Sequence, residues 1–181
     1  AAGVQKEACR ALRNVCCGTD NAAAARQQRA AEMGALEAVV AAMQAHLQAA
    51  GVQEEGSAAL SNVCWGTDAA APARKQRAAE AGALKAVVEA MQTHPQAVGV
   101  QLHGSAALRN VCWGSDAAAV ARKQRAAEAG AIEAVVAAMQ AHPQVARVQM
   151  AACGALVDMC IGTNAAAAAR RQRVAEMGAL E

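Results

Sequence analysis

The strongest constraint on this chain is internal repetition. Gly-Ala-Leu or Gly-Ala-Ile begins at Gly34, Gly82, Gly130 and Gly178, each 48 residues after the last. Val-Gln follows the same step at Val4-Gln5, Val52-Gln53, Val100-Gln101 and Val148-Gln149. A fixed period of this size marks a solenoid or repeat array, in which each unit buries its apolar face against its neighbours. The 181 residues are therefore read as one array. It has a partial unit over 1–18, full units over 19–66, 67–114 and 115–162, and a partial unit over 163–181. The count starts inside one unit, and Gly178-Ala179-Leu180-Glu181 opens an element without finishing it. An array continuing beyond this segment is the expectation, because a true end carries an atypical polar cap. Such an array offers no natural place for a single catalytic pocket.

Nearly a third of the residues are Ala, with no Phe or Tyr and only two Trp. Ala is the strongest helix former, so local propensity favours helix throughout. With 17 basic and 15 acidic residues, the net charge of +2 does not point to nucleic acid by itself. No apolar run approaches the roughly 18 residues of a membrane span, and no signal peptide is visible. Four of the seven Cys fall on the repeat, at Cys16, Cys64, Cys112 and Cys160. Equivalent positions on stacked helices lie roughly 8–10 Å apart, whereas a disulfide needs Cα atoms within about 7 Å. These thiols read as small buried apolar groups in a reducing compartment, cytoplasmic or nuclear. Cys9, Cys17 and Cys153 show no zinc-type spacing.

One unit, Asp68 to Gly114, reads as three helices. Gly66 suits a helix stop, and Asp68 suits the cap of the next helix. That first helix runs to about Ala81, its regular part beginning near Pro72, since Pro is tolerated only in an opening turn. Gly82 breaks it. A second helix covers Ala83 to Thr93, with Leu84, Val87, Val88 and Met91 on one buried stripe. His94-Pro95 ends it. A third runs from Gln96 or Val98 to Trp113, with Val100, Ala107, Leu108, Val111 and Cys112 inward.

These residues resemble the armadillo-repeat family. Ala73 to Met91 (ARKQRAAEAGALKAVVEAM) is similar to the first two helices of an armadillo repeat. Gly104 to Cys112 (GSAALRNVC) is similar to the third. The Glu-Ala-Gly-Ala-Leu junction and the Ala-Leu-x-Asn-Val pattern carry the resemblance, and variants recur in every copy. HEAT repeats lack the Asn and this three-helix pattern. About six residues beyond a common armadillo length fall in the Ala-rich lead around Ala22 to Arg26. The resemblance implies an all-α, right-handed superhelical solenoid whose third helices line a concave groove. In importin-α-like and β-catenin-like members that groove holds an extended peptide, and the third-helix Asn bonds its backbone. That role maps onto Asn14, Asn62 and Asn110, with Asp158 in the fourth copy. Importin-like copies place a Trp four residues before the Asn. Here those positions hold Arg10, Ala58, Ala106 and Gly154, which argues against nuclear-import activity and leaves generic groove binding.

An Asn amide can pair with a peptide bond whatever the ligand's side chains. Helices about 8–10 Å apart, and a peptide rising about 3.3 Å per residue, would bring each Asn to roughly every third ligand residue. Alternatively, the Asn ties down the backbone of the adjacent unit. Arg13 and Arg109 sit beside the ladder and would favour an acidic ligand, or else form a solvated edge. Trp65 and Trp113 follow the Asn by three residues, a spacing that shares a helix face. They are either binding anchors or plugs for the next joint.

The first helices carry a basic stripe. It comprises Arg26, Arg74, Arg122 and Arg170, then Arg29, Arg77, Arg125 and Arg173, with Lys75, Lys123 and Arg171 beside them. Glu32, Glu80, Glu128 and Glu176 stand three residues past the second Arg of each set, which suits local ion pairs on a solvated face. The stripe lacks aromatic residues for base stacking, so nucleic-acid binding is the weakest reading. His46, His94 and His142 each close a second helix, where a cation suits the helix dipole. One His per unit is too few for a metal site, and no cofactor is expected. No nucleophile–base pair or phosphate loop is present, so no enzyme activity is expected. The function expected is a scaffold that binds a protein segment in its groove. The alternative is a structural subunit of a larger assembly that contacts partners by its ends and convex face.

Overall fold

The structure is a computed structural model and describes residues 1–178. Ala179, Leu180 and Glu181, part of the expected last unit, lie outside the described residues. Among the described residues the regular structure is entirely helical. The first helices are α2 (Asn21–Glu32), α5 (Ala71–Glu80), α8 (Ala117–Glu128) and α11 (Ala165–Glu176). The second are α3 (Ala35–Ala45), α6 (Ala83–Thr93) and α9 (Ala131–Ala141). The third are α1 (Ala2–Val15), α4 (Ala50–Val63), α7 (Val98–Cys112) and α10 (Ala146–Cys160). Third helices pack side by side in the order α1, α4, α7, α10, with the second helices against them.

The second helices form as their stripe predicts. Leu84, Val87, Val88 and Met91 are all buried in α6, and Leu36, Val39, Val40 and Met43 repeat this in α3. Each second helix starts at a glycine in the left-handed region: φ is 82° at Gly34, 88° at Gly82 and 86° at Gly130. A side chain there meets the steric cost that glycine avoids, so the break is written into the sequence.

The first helices begin on side-chain caps. Asp20 accepts from the Ala23 N–H at 2.7 Å, Asp116 from Ala119 at 2.7 Å, and Asn164 from Ala167 at 2.8 Å. Asp68 is the exception, because α5 starts at Ala71. In the other copies the cap's carbonyl accepts from the N–H of Ala24, Val120 or Ala168. The equivalent residue here is Pro72, which has no N–H to give. The helix start therefore moves on, and Asp68 turns its carboxylate to Arg74, at 2.9 and 2.7 Å.

Third helices are capped onto second helices by a buried glutamine. Gln53 Nε2 donates to the carbonyls of Met43 and His46, both at 2.9 Å. Gln101 does the same for Met91 and His94, and Gln149 for Met139 and His142. This is the work of the Gln in the repeated Val-Gln. The histidine carbonyls also accept from the N–H of Ala49, Ala97 or Val145, while the bonds to Met43, Met91 and Met139 satisfy helix-end carbonyls that have no other partner among the described residues.

The copies are not equivalent in packing. A Cβ on Gly56 or Gly104 would stand 2.7 Å from the Cγ of Met43 or Met91. The fourth copy has Ala152 at this position, and its methionine, Met139, is only partly buried. Ser57 and Ser105 are fully buried, and their hydroxyls have no hydrogen-bond partner among the described residues. Cys9 and Cys153 occupy this position in the flanking copies. Replacing either serine with Ala removes an unsatisfied buried hydroxyl and improves helix propensity. Each change is expected to stabilise the protein by about 1 kcal/mol, read as a rise in the urea midpoint. An unchanged or lower midpoint would show that the hydroxyl has a partner in solution.

Candidate protein-binding groove

The Asn positions form a ladder, and its rungs are between helices. Asn62 Nδ2 donates to the Arg13 carbonyl at 2.9 Å. Asn110 Nδ2 donates to the Ser61 carbonyl at 2.9 Å and the Ser61 hydroxyl at 3.0 Å. Each Asn thus ties its helix to the preceding third helix, the second of the two roles its position suggested. Its carbonyl oxygen accepts no hydrogen bond among the described residues. Asp158 has no amide to donate, and there the rung reverses: Arg109 Nε donates to its carboxylate at 2.9 Å. Gly154 lies beside this pair, and a Cβ there would stand 3.2 Å from the Arg109 side chain, tighter than ordinary contact. Asn14 is exposed.

Both arginines beside the ladder already have carboxylate partners. Arg109 pairs with Asp158, and Arg13 pairs with Glu55 at 3.0 Å. Neither stands as an open cation toward an acidic ligand.

Trp65 and Trp113 lie just past the ends of α4 and α7. Trp113 has a helical φ of −63°, and its ψ of 138° redirects only the chain beyond it. The two indoles are 44% and 42% exposed, a large apolar area for residues of their kind. Trp65, Trp113, Arg109 and Asn110 line one cavity of about 400 Å³, together with Lys75 and the loops at Gly18–Asn21 and Gly66–Asp68. Arg13, Asn14, Asn62 and Asp158 lie outside it.

The basic stripe is only in part a solvated face, with Arg29, Arg125 and Arg173 among its exposed members. Arg74, Arg122 and Arg170 are buried, at 1%, 1% and 3% exposure. Their Nε atoms donate to the last carbonyls of the preceding third helices: Val63 at 3.0 Å, Val111 at 2.8 Å and Met159 at 2.6 Å. Arg26 makes the same bond to Val15 at 2.7 Å, but in an exposed setting. Lys75 and Lys123 reach Gly66 O at 2.8 Å and Gly114 O at 2.7 Å, and Arg171 reaches Gly162 O at 2.9 Å. A cation at a helix C-terminus satisfies orphan carbonyls and complements the dipole. These side chains hold one unit onto the next.

The glutamates do not pair locally with the second arginines either. Glu32, Glu80, Glu128 and Glu176 accept from Gln28, Gln76, Gln124 and Gln172. Arg77 instead crosses to Glu37 at 2.6 Å, and Arg173 crosses to Glu133. That bond holds the Glu37 carboxyl below the usual carboxylate range. The same offset from Arg125 leads to Lys85, which pairs with Glu89.

The histidines also join units. His94 Nε2 donates to Leu47 O at 2.7 Å and His142 Nε2 to Pro95 O at 2.8 Å, which fixes the proton on that nitrogen. Burial pushes the Cys64 and Cys112 thiols up to about 12, in line with buried apolar groups rather than nucleophiles. Among the described residues no three His, Cys, Asp or Glu converge as a metal site, and no helix is long and apolar enough to cross a membrane. No family model, curated protein or solved structure matches this chain.

Proposed function

We propose that this chain is an armadillo-type scaffold without catalytic activity, which binds an extended protein segment across its third helices. One observation carries the reading. Trp65 and Trp113 are large apolar side chains left exposed just past the ends of α4 and α7, and both line one cavity. Exposed apolar groups around one cavity suit a partner that covers them. The Asn carbonyl oxygens beside them offer acceptors for a ligand's backbone N–H. Third helices pack closely along their length, while first and second helices touch their counterparts more sparingly. That asymmetry supports a curved array with the third helices on its concave side, the right-handed superhelix of the armadillo resemblance. The cytoplasmic or nuclear setting belongs to the same proposal, with Cys9, Cys16, Cys64 and Cys112 packed as buried apolar groups.

The test compares two faces at equal stability. Trp65→Ser with Trp113→Ser alters the third-helix side. Arg77→Ser with Arg173→Ser alters the first helices. Groove binding predicts at least about a tenfold loss of affinity for co-purifying partners in the Trp pair, because interface Trp residues are frequent hot spots. The Arg pair should retain its partners. The opposite result would replace the groove with a structural subunit that contacts its assembly by the outer face.

A further inference from the structure

The cavity between Trp65 and Trp113 has a charge asymmetry that selects its occupant. Its two carboxylates are already engaged: Asp20 accepts from Ala23 N–H at 2.7 Å, and Asp68 accepts from Arg74 and from Ala70 N–H at 3.1 Å. Asp68 is accordingly held below the usual carboxylate range by Arg74. Of its cations, Arg109 is paired with Asp158. Lys75 has no carboxylate partner among the described residues. Its side chain is 2% exposed, its Nζ donates to Gly66 O at 2.8 Å, and it sits 4.4 Å above the centre of the Trp113 ring. An ammonium has three donors, so a carbonyl and a ring leave it short of a counter-ion. Arg74 and Arg122 nearby add positive potential, and burial pulls the Lys75 pKa down. An arriving carboxylate would relieve this uncompensated charge.

This constellation occurs once along the described array. The Trp positions of the four copies hold Cys17, Trp65, Trp113 and Ile161, and the Lys positions hold Gln27, Lys75, Lys123 and Arg171. Only Lys75 is set over an indole. Resting on the groove reading, we infer that the Trp65–Trp113 cavity takes an acidic side chain, Glu or Asp, of the bound protein segment, with Lys75 as its counter-ion and the indoles as apolar walls. An acidic partner thus fits this groove through Lys75, where the sequence had pointed to Arg13 and Arg109.

The chain supplies its own reporter. Trp65 and Trp113 are its only aromatic residues apart from histidine, so its indole emission comes from this cavity alone. The probes are a blocked dodecapeptide of Ser, Leu and Glu, and the same peptide with every Glu changed to Gln. The acidic peptide should change the emission saturably, and the Gln peptide should bind at least about tenfold more weakly. Lys75→Gln should abolish the preference. Lys123→Gln, which removes the matching buried cap on Gly114 O, should keep it and so controls for a loss of stability. Equal binding of both peptides with no effect of Lys75→Gln would overturn the acidic assignment and leave the groove standing. Calorimetric heat without an emission change would place the peptide away from the cavity and also overturn it. Neither heat nor emission change with either peptide would count against both the assignment and the groove.

Discussion

Replacing Arg74 with Met should cost about 3–5 kcal/mol of stability, whereas the same change at Arg26 should cost under about 1 kcal/mol. The two arginines occupy equivalent positions and make the same pair of main-chain bonds, to which Arg74 adds Asp68 and Gln27. Arg26 donates to Val15 O and Cys17 O, and Arg74 to Val63 O and Trp65 O. Burial separates them. Arg26 is exposed, so water replaces its bonds when the guanidinium goes. Arg74 is buried, and its loss leaves two carbonyls and the Gln27 Oε1 at 3.3 Å without their donor and the Asp68 carboxylate without its cation. Met restores apolar volume and no donor. The measurement is urea unfolding followed by circular dichroism. Equal costs at the two positions would mean that these caps are not what joins one unit to the next.

Leu108→Ala is expected to cost more than about 3 kcal/mol, in the upper part of the range for such truncations. Leu108 is fully buried in α7, within a core made mainly of Ala and Val. The cost of a cavity depends on how far its walls relax. Alanine has no rotamers to swing into a void, and close helix contacts limit backbone movement. Leu156, its equivalent in α10, is 9% exposed and should lose less on the same change. Chemical denaturation of both variants decides the order, and a cost under about 1 kcal/mol at Leu108 would contradict this view of the core.

The helical frame was legible because its signals are local. Gly82 marks a left-handed break, Pro72 marks the first turn of α5, and the Leu84–Val87–Val88–Met91 stripe names the inner face of α6. The polar joints were harder to read. Arg74, Arg122 and Gln101 look like surface residues in a one-dimensional pattern, since nothing nearby shows that a helix end will sit above them. A signal was available: Gln5, Gln53, Gln101 and Gln149 keep the period, as do Arg26, Arg74, Arg122 and Arg170, while the position of Glu37, Lys85 and Glu133 varies. A polar residue held in every copy of an Ala-rich repeat is a candidate for a main-chain cap. The Trp113–Lys75 pairing was hidden for another reason. It links the first and third helices of one unit, residues far apart in the chain, and no local pattern announces it.

Site-directed photo-crosslinking on the intact chain addresses the proposed groove most directly. A benzophenone side chain replaces Trp113, exposed just past the third helix α7, or Ala137, exposed on the second helix α9. Groove binding predicts partner adducts from position 113 and none from position 137. Adducts from position 137 with none from position 113 would contradict it.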